Sequence, residues 1–60
     1  MKWEQMSKEQ KQFTLIHWAH LCYDKGIYSF ENLRTVLDAI RRTTNIDVLA
    51  HNIGYKELFI

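Results

Sequence analysis

The chain has 60 residues, with eight Lys or Arg, seven Asp or Glu, and a formal net charge of +1. This length supports at most one domain, and such a short chain buries only about 60% of the surface that its unfolded form exposes. A near-neutral charge argues against a dedicated nucleic-acid-binding domain, which is usually strongly basic. The single cysteine excludes an intramolecular disulfide, so we expect a partner chain, ahead of a metal ion, to supply added stability.

Features of a membrane or exported protein are missing from the sequence. No apolar run approaches the roughly 20 residues that a membrane span needs, so no membrane partner is expected. The opening segment, MKWEQMSKEQ, lacks the apolar stretch of a secretory signal. Together with the free thiol of Cys22, these features predict a cytoplasmic location.

A long first helix is predicted over about residues 7–25. Ser7 followed by Gln10 has the pattern of a capping box, and Gly26 suits the left-handed position just past a helix end. Nothing between Lys2 and Ser7 forbids a helix, so a start as early as Lys2 stays open. One side of the helical wheel carries the predicted core residues Leu15, Trp18, Ala19, Cys22 and Tyr23, with Ile16 at its edge.

Two further helices follow, at about residues 30–42 and 46–53. Ser29 and Asn45 are the predicted N-caps. The apolar stripe of the second helix consists of Phe30, Leu33, Val36, Leu37 and Ile40, and that of the third of Ile46, Leu49, Ala50 and Ile53. The predicted fold is therefore all-α: one small domain with a helical hairpin, a short third helix and an apolar C-terminal tail.

The segment HWAHLCYD places two histidines, the cysteine and an aspartate within eight positions. On a helix, Cys22 points about 140° to 160° away from His17 and His20, so these three side chains cannot bind one metal ion or form a nucleophile–base pair. His17, His20 and Asp24 are interpreted as a solvated face rather than as metal ligands. With no glycine-rich phosphate loop either, the sequence predicts no enzyme, no catalytic residue, no cofactor and no small-molecule substrate.

Aromatic and apolar residues suggest a second face on the first helix. If that helix extends back towards Lys2, a broken apolar stripe lies opposite the core face, and a helix apolar on two sides must bury both. The alternative is that these side chains are simply half-exposed, as many apolar groups are. The candidate partner-binding residues are Trp3, Met6, Phe13, His17, His20 and Leu21, extended by Tyr55, Leu58 and Phe59 of the C-terminal segment.

These residues predict a small non-enzymatic regulator or inhibitor that acts by binding another protein. Self-association through the same face, as a homodimer, is the simplest variant, because two-fold dimers are the commonest oligomers. Small partner-dependent chains of this kind are common among mobile-element and sporulation regulators, and that association suggests a mobile-element protein.

The alternative function is DNA binding by a dimer. Arg34, Arg41, Arg42 and Lys56 are candidate contacts to nucleic acid or to an acidic partner, although Asp38, which lies between Arg34 and Arg41, favours a salt-bridged surface. The segment NIDVLAHNIGYKELFI resembles part of a helix-turn-helix, in which a small residue precedes a turn glycine by four, as Ala50 precedes Gly54. The family's apolar positions would be those of Leu49, Ile53, Tyr55 and Ile60. Lys56 is the only Lys or Arg in this segment, where phosphate contacts need several, so a protein partner is favoured.

Overall fold

The computed structural model describes residues 2–55 of the chain. A short 3₁₀ turn, Trp3–Gln5, precedes three helices: α1 (Lys8–Asp24), α2 (Phe30–Arg42) and α3 (Ile46–Asn52). The predicted all-α class and the three predicted helices are confirmed, with ends within one residue of those expected. The predicted apolar tail, from residue 56 onwards, lies outside the described part of the chain.

The start of α1 is fixed by the predicted capping box. The Ser7 hydroxyl accepts from the Gln10 N–H at 3.2 Å, and the Gln10 side chain accepts from the Ser7 N–H at 2.9 Å. Just before it, Met6 has extended backbone angles, which separate the 3₁₀ turn from the helix. The helix therefore begins at Lys8, and the earlier start near Lys2 is not observed.

Helices α1 and α3 end in the same way. Gly26 and Gly54 have φ angles of 78° and 76°, in the left-handed region that side chains other than glycine rarely adopt. At each end, the glycine N–H donates to the carbonyl three residues earlier, and the next N–H donates to the carbonyl five residues earlier, at 2.8 to 3.2 Å. This pattern is the Schellman motif, which satisfies carbonyl groups that the helix leaves unpaired.

The core lies where α3 packs against the hairpin of α1 and α2. Leu15 and Ile40 from the hairpin form a buried cluster with Ile46 and Ala50 of α3. The predicted core face of α1 is confirmed at Leu15, Trp18, Ala19 and Cys22, all of which are buried. The expectation was wrong for Tyr23 and Phe30, which are 42% and 59% exposed.

α3 leaves Tyr23 and Phe30 exposed because it is short and packs on the other side of the hairpin. At about 1.5 Å per residue, the 7 residues of α3 span about 10 Å, whereas the 17 residues of α1 span about 25 Å. α3 follows the C-terminal end of α2 and covers only one side of the hairpin. Tyr23 and Phe30 flank the loop at the opposite end, where their rings contact each other at a centroid distance of 6.4 Å.

Candidate protein-binding surface

The N-terminal segment is held against α3 by a polar contact centred on Asp47. The Trp3 indole N–H and the Lys11 ammonium group each donate to the same carboxylate oxygen of Asp47, both at 2.8 Å. Lys11 also lies 5.2 Å from the centroid of the Trp3 ring. The hydrogen bonds from Lys11 and Trp3 stabilise the ionised carboxylate and lower the pKa of Asp47 below its ordinary value.

Two of the predicted contact residues, Trp3 and Tyr55, therefore lie on the α3 side of the molecule. Trp3 packs against Tyr55 with a ring-centroid distance of 5.0 Å, and Tyr55 also contacts the Trp18 ring at 5.6 Å. Met6 is half-buried, with its sulfur 3.5 Å from the Thr14 hydroxyl. Because α1 does not extend to Lys2, these side chains form no continuous helical stripe with Phe13.

The other described contact residues lie along α1 itself. Phe13 is 72% exposed, His17 and His20 are exposed, and Leu21 is half-buried. On the helical wheel Phe13 lies about 160° from Lys11, which contacts Asp47 of α3. Phe13 therefore faces away from α3, on the open side of the hairpin. Leu58 and Phe59 lie outside the described residues.

The pairing of α1 with α2 identifies which side chains share this open side. Contacts join Tyr23 to Phe30 at one end of the hairpin and Gln12 to the Ile40 carbonyl, at 3.5 Å, towards the other end. Two antiparallel helices in this register place Ile16 of α1 level with Leu37 of α2. Both are half-buried and pack against the buried cluster.

A shallow groove continues this surface at the end of the hairpin away from the loop. Its volume is ≈ 400 Å³ and it is lined by Glu9, Gln12, Phe13, Ile16, Ile40 and Arg41. We define the hairpin face as the apolar surface opposite α3 formed by Phe13, Ile16, Tyr23, Phe30 and Leu37. Of these residues only Phe13 is among the contact residues predicted from the sequence. Ile16 and Tyr23 lie about 100° and 80° from Leu15 on the wheel, a boundary position that could have identified them.

The charged side chains beside the hairpin face have mixed signs. Arg34 and Arg41 are exposed along α2, where they share a groove with Glu31 and Asp38. Arg42 pairs with Asp38 at 3.2 Å, as the i, i+4 spacing suggested. This surface is therefore not uniformly basic in the described chain, and Lys56 lies beyond residue 55.

The HWAHLCYD segment is divided between two sides of α1, as the wheel predicted. Cys22 is buried, and burial raises the pKa of its thiol. His17, His20 and Asp24 are exposed. Within residues 2–55, no three His, Cys, Asp or Glu side chains are placed so that they could hold a metal ion together.

Comparison of the chain with protein families, with curated proteins and with solved structures finds no match. Residues 2–55 also contain no helix with the length and apolar character of a membrane span.

The residues behind the helix-turn-helix resemblance have structural roles of their own. Ala50 is buried in the core cluster, and Gly54 forms the same Schellman cap that Gly26 forms after α1. Core packing and helix termination thus account for both positions. The part of the motif that would read DNA falls beyond residue 55, outside the described chain.

Proposed function

We propose that this protein is a small non-enzymatic regulator or inhibitor that acts by protein–protein binding through the hairpin face. The observation that supports this proposal most directly is the exposure of Phe13 on the side of α1 that α3 leaves uncovered. Phe30 and Tyr23 extend the same surface across the hairpin. Contiguous apolar surface of this kind, bordered by polar side chains, is typical of protein-binding sites.

The composition of the hairpin face suits a binding anchor. Aromatic residues and arginine are enriched among the side chains that contribute most to protein interfaces, and a true anchor contributes about 2 kcal/mol or more. The face offers three aromatic rings, with Arg34 and Arg41 at its α2 edge. His17 and His20 lie beside Phe13 on α1 and belong to the proposed contact surface, whereas Trp3 and Tyr55 contribute to stability.

The free buried thiol of Cys22 supports placing this activity in a reducing compartment, which for this chain we propose to be the cytoplasm. A thiol in that compartment does not form lasting disulfides, so the interaction with the partner would be non-covalent.

Photo-crosslinking in the producing cells tests the proposal. A photoreactive phenylalanine analogue in place of Phe13 should form a discrete crosslink to a partner protein, which mass spectrometry then identifies. The matched control places the analogue at Val48, which is 52% exposed on the outer side of α3 and should give no such crosslink. Phe30→Glu, combined with the analogue at position 13, should remove the crosslink while leaving the helical content unchanged.

Two results would contradict the proposal. The first is an equal crosslink pattern from positions 13 and 48, because the hairpin face would then have no preference over the rest of the surface. The second is binding of a random DNA duplex that falls steeply with salt and is abolished by Arg41→Gln, since counterion release has that signature.

A further inference from the structure

We infer that the hairpin face binds a second copy of this chain, in a two-fold symmetric pair of hairpins. This inference rests on the proposed function, because it names the occupant of the same surface.

The exposed area is sufficient for a small dimer interface. If a fully exposed aromatic side chain presents roughly 200 Å², the exposed fractions of Phe13, Tyr23 and Phe30 leave about 350 Å² of ring surface on each copy. Two copies then contribute about 700 Å², and interfaces of homodimers are about 65% apolar, so the total is about 1,100 Å². This value, which is reached when all of the exposed ring surface is buried, is close to the ≈ 1,000 Å² that a specific interface needs.

A two-fold axis running across the helices makes the face complementary to itself. In the first helix, an axis level with position 18 places Phe13 of one copy over Tyr23 of the other. In α2, the same rotation about a point midway between positions 35 and 36 places Phe30 of one copy over Arg41 of the other. This gives a contact between an aromatic ring and a guanidinium group. The hairpin register pairs position 18 with about position 35, so a single axis serves both helices.

An axis running along the helices also gives complementary contacts. It places Phe13 over Arg41 and Tyr23 over Phe30 of the second copy, because these residues are level with each other within one hairpin. In neither arrangement do the Arg41 guanidinium groups of the two copies meet. With both acidic and basic groups around the face, a second copy fits better than a strongly acidic or strongly basic partner.

Sedimentation equilibrium over a range of protein concentrations tests this inference. The average mass of the purified full chain should rise with concentration from that of a monomer towards twice that value. Phe13→Glu and Phe30→Glu should each weaken dimerisation by at least about 30-fold. Val48→Glu is the matched control, because it places the same charge on an exposed apolar site of α3, and it should dimerise like the unmodified chain. Circular dichroism of each variant verifies that the helices remain formed.

Three outcomes would overturn the inference. One is a chain that stays monomeric up to roughly 1 mM, a concentration at which even weak association is detectable. Another is a dimer that Val48→Glu disrupts and Phe13→Glu leaves intact. The third is a monomer whose position 13 crosslinks in cells only to a different protein, which would leave the proposed function standing. If position 13 yields neither a dimer nor a specific crosslink, the proposed function fails as well.

Discussion

Truncating Leu15 to alanine should destabilise the chain far more than truncating Phe13, two residues before it on α1, although phenylalanine is the larger side chain. Leu15 is 0% exposed, and replacing a fully buried leucine with alanine costs about 3 to 5 kcal/mol. A domain of this length is stable by only about 3 to 9 kcal/mol in total. Leu15→Ala should therefore remove a third or more of the free energy of unfolding, or prevent folding altogether.

Phe13→Ala should be mild although phenylalanine is the larger side chain. A fully buried phenylalanine costs about 3 to 5 kcal/mol on truncation, but Phe13 is 72% exposed, so only about 1 kcal/mol is at stake. The higher helix propensity of alanine offsets about half of that loss. The net change should lie below about 1 kcal/mol.

Urea unfolding followed by far-ultraviolet circular dichroism measures both changes. The comparison requires concentrations at which sedimentation shows a monomer, because burial of Phe13 by a second copy would otherwise add to its cost. Leu15→Val removes less volume and keeps the comparison measurable if Leu15→Ala does not fold. An equal loss of stability for Phe13→Ala and Leu15→Ala in the monomer would refute the reasoning, since the Phe13 side chain would then be buried as well.

The glycine cap of α1, the Asp47 carboxylate and the Cys22 thiol each have a measurable consequence. Gly26→Ala should destabilise the chain by about 1 to 2 kcal/mol in urea titrations, because the left-handed φ angle is strained for alanine and nothing else crowds the site. Asp47→Asn should be less stable than the unmodified chain, and this difference should be fully present above the ordinary carboxyl pKa of about 3.9. The difference should shrink as the pH falls through the lowered pKa that Asp47 has in the folded state. Urea unfolding at several pH values measures it. A pH-independent difference would argue against the Asp47 contact. Cys22 should react slowly with a disulfide reagent in the native chain and rapidly in urea, since burial both shields the thiol and raises its pKa; equal rates would contradict its burial.

The helix ends were predictable because their determinants are local. A hydroxyl at Ser7 can reach the N–H of Gln10 only if the backbone between them is helical, so a few residues define the start. The left-handed positions at Gly26 and Gly54 depend on their own φ angles and on neighbouring carbonyls. The capping chemistry therefore predicted the start of α1 and the ends of α1 and α3 to within one residue.

The covered and uncovered sides of the helices were harder to predict. The periodicity places Phe30 on an apolar stripe with Leu33, but it contains no information on which side of the hairpin α3 covers. Trp3 would join the second apolar stripe only on an α1 extended towards Lys2, whereas its indole N–H binds Asp47, which is 44 positions away in the sequence. Both differences arise from contacts between distant segments, which the pattern of one helix does not encode.

The two tryptophans have an experimental consequence, because both contact the same tyrosine. Trp3 and Trp18 lie within 5.0 and 5.6 Å of the Tyr55 ring, on the α3 side of the molecule. The fluorescence of the two tryptophans should therefore change when Tyr55 loses its contacts with them. It should stay nearly constant when a ligand covers Phe13. The chain thus contains an internal optical reporter of its folded state, whereas occupancy of the opposite side needs an added dye for its detection.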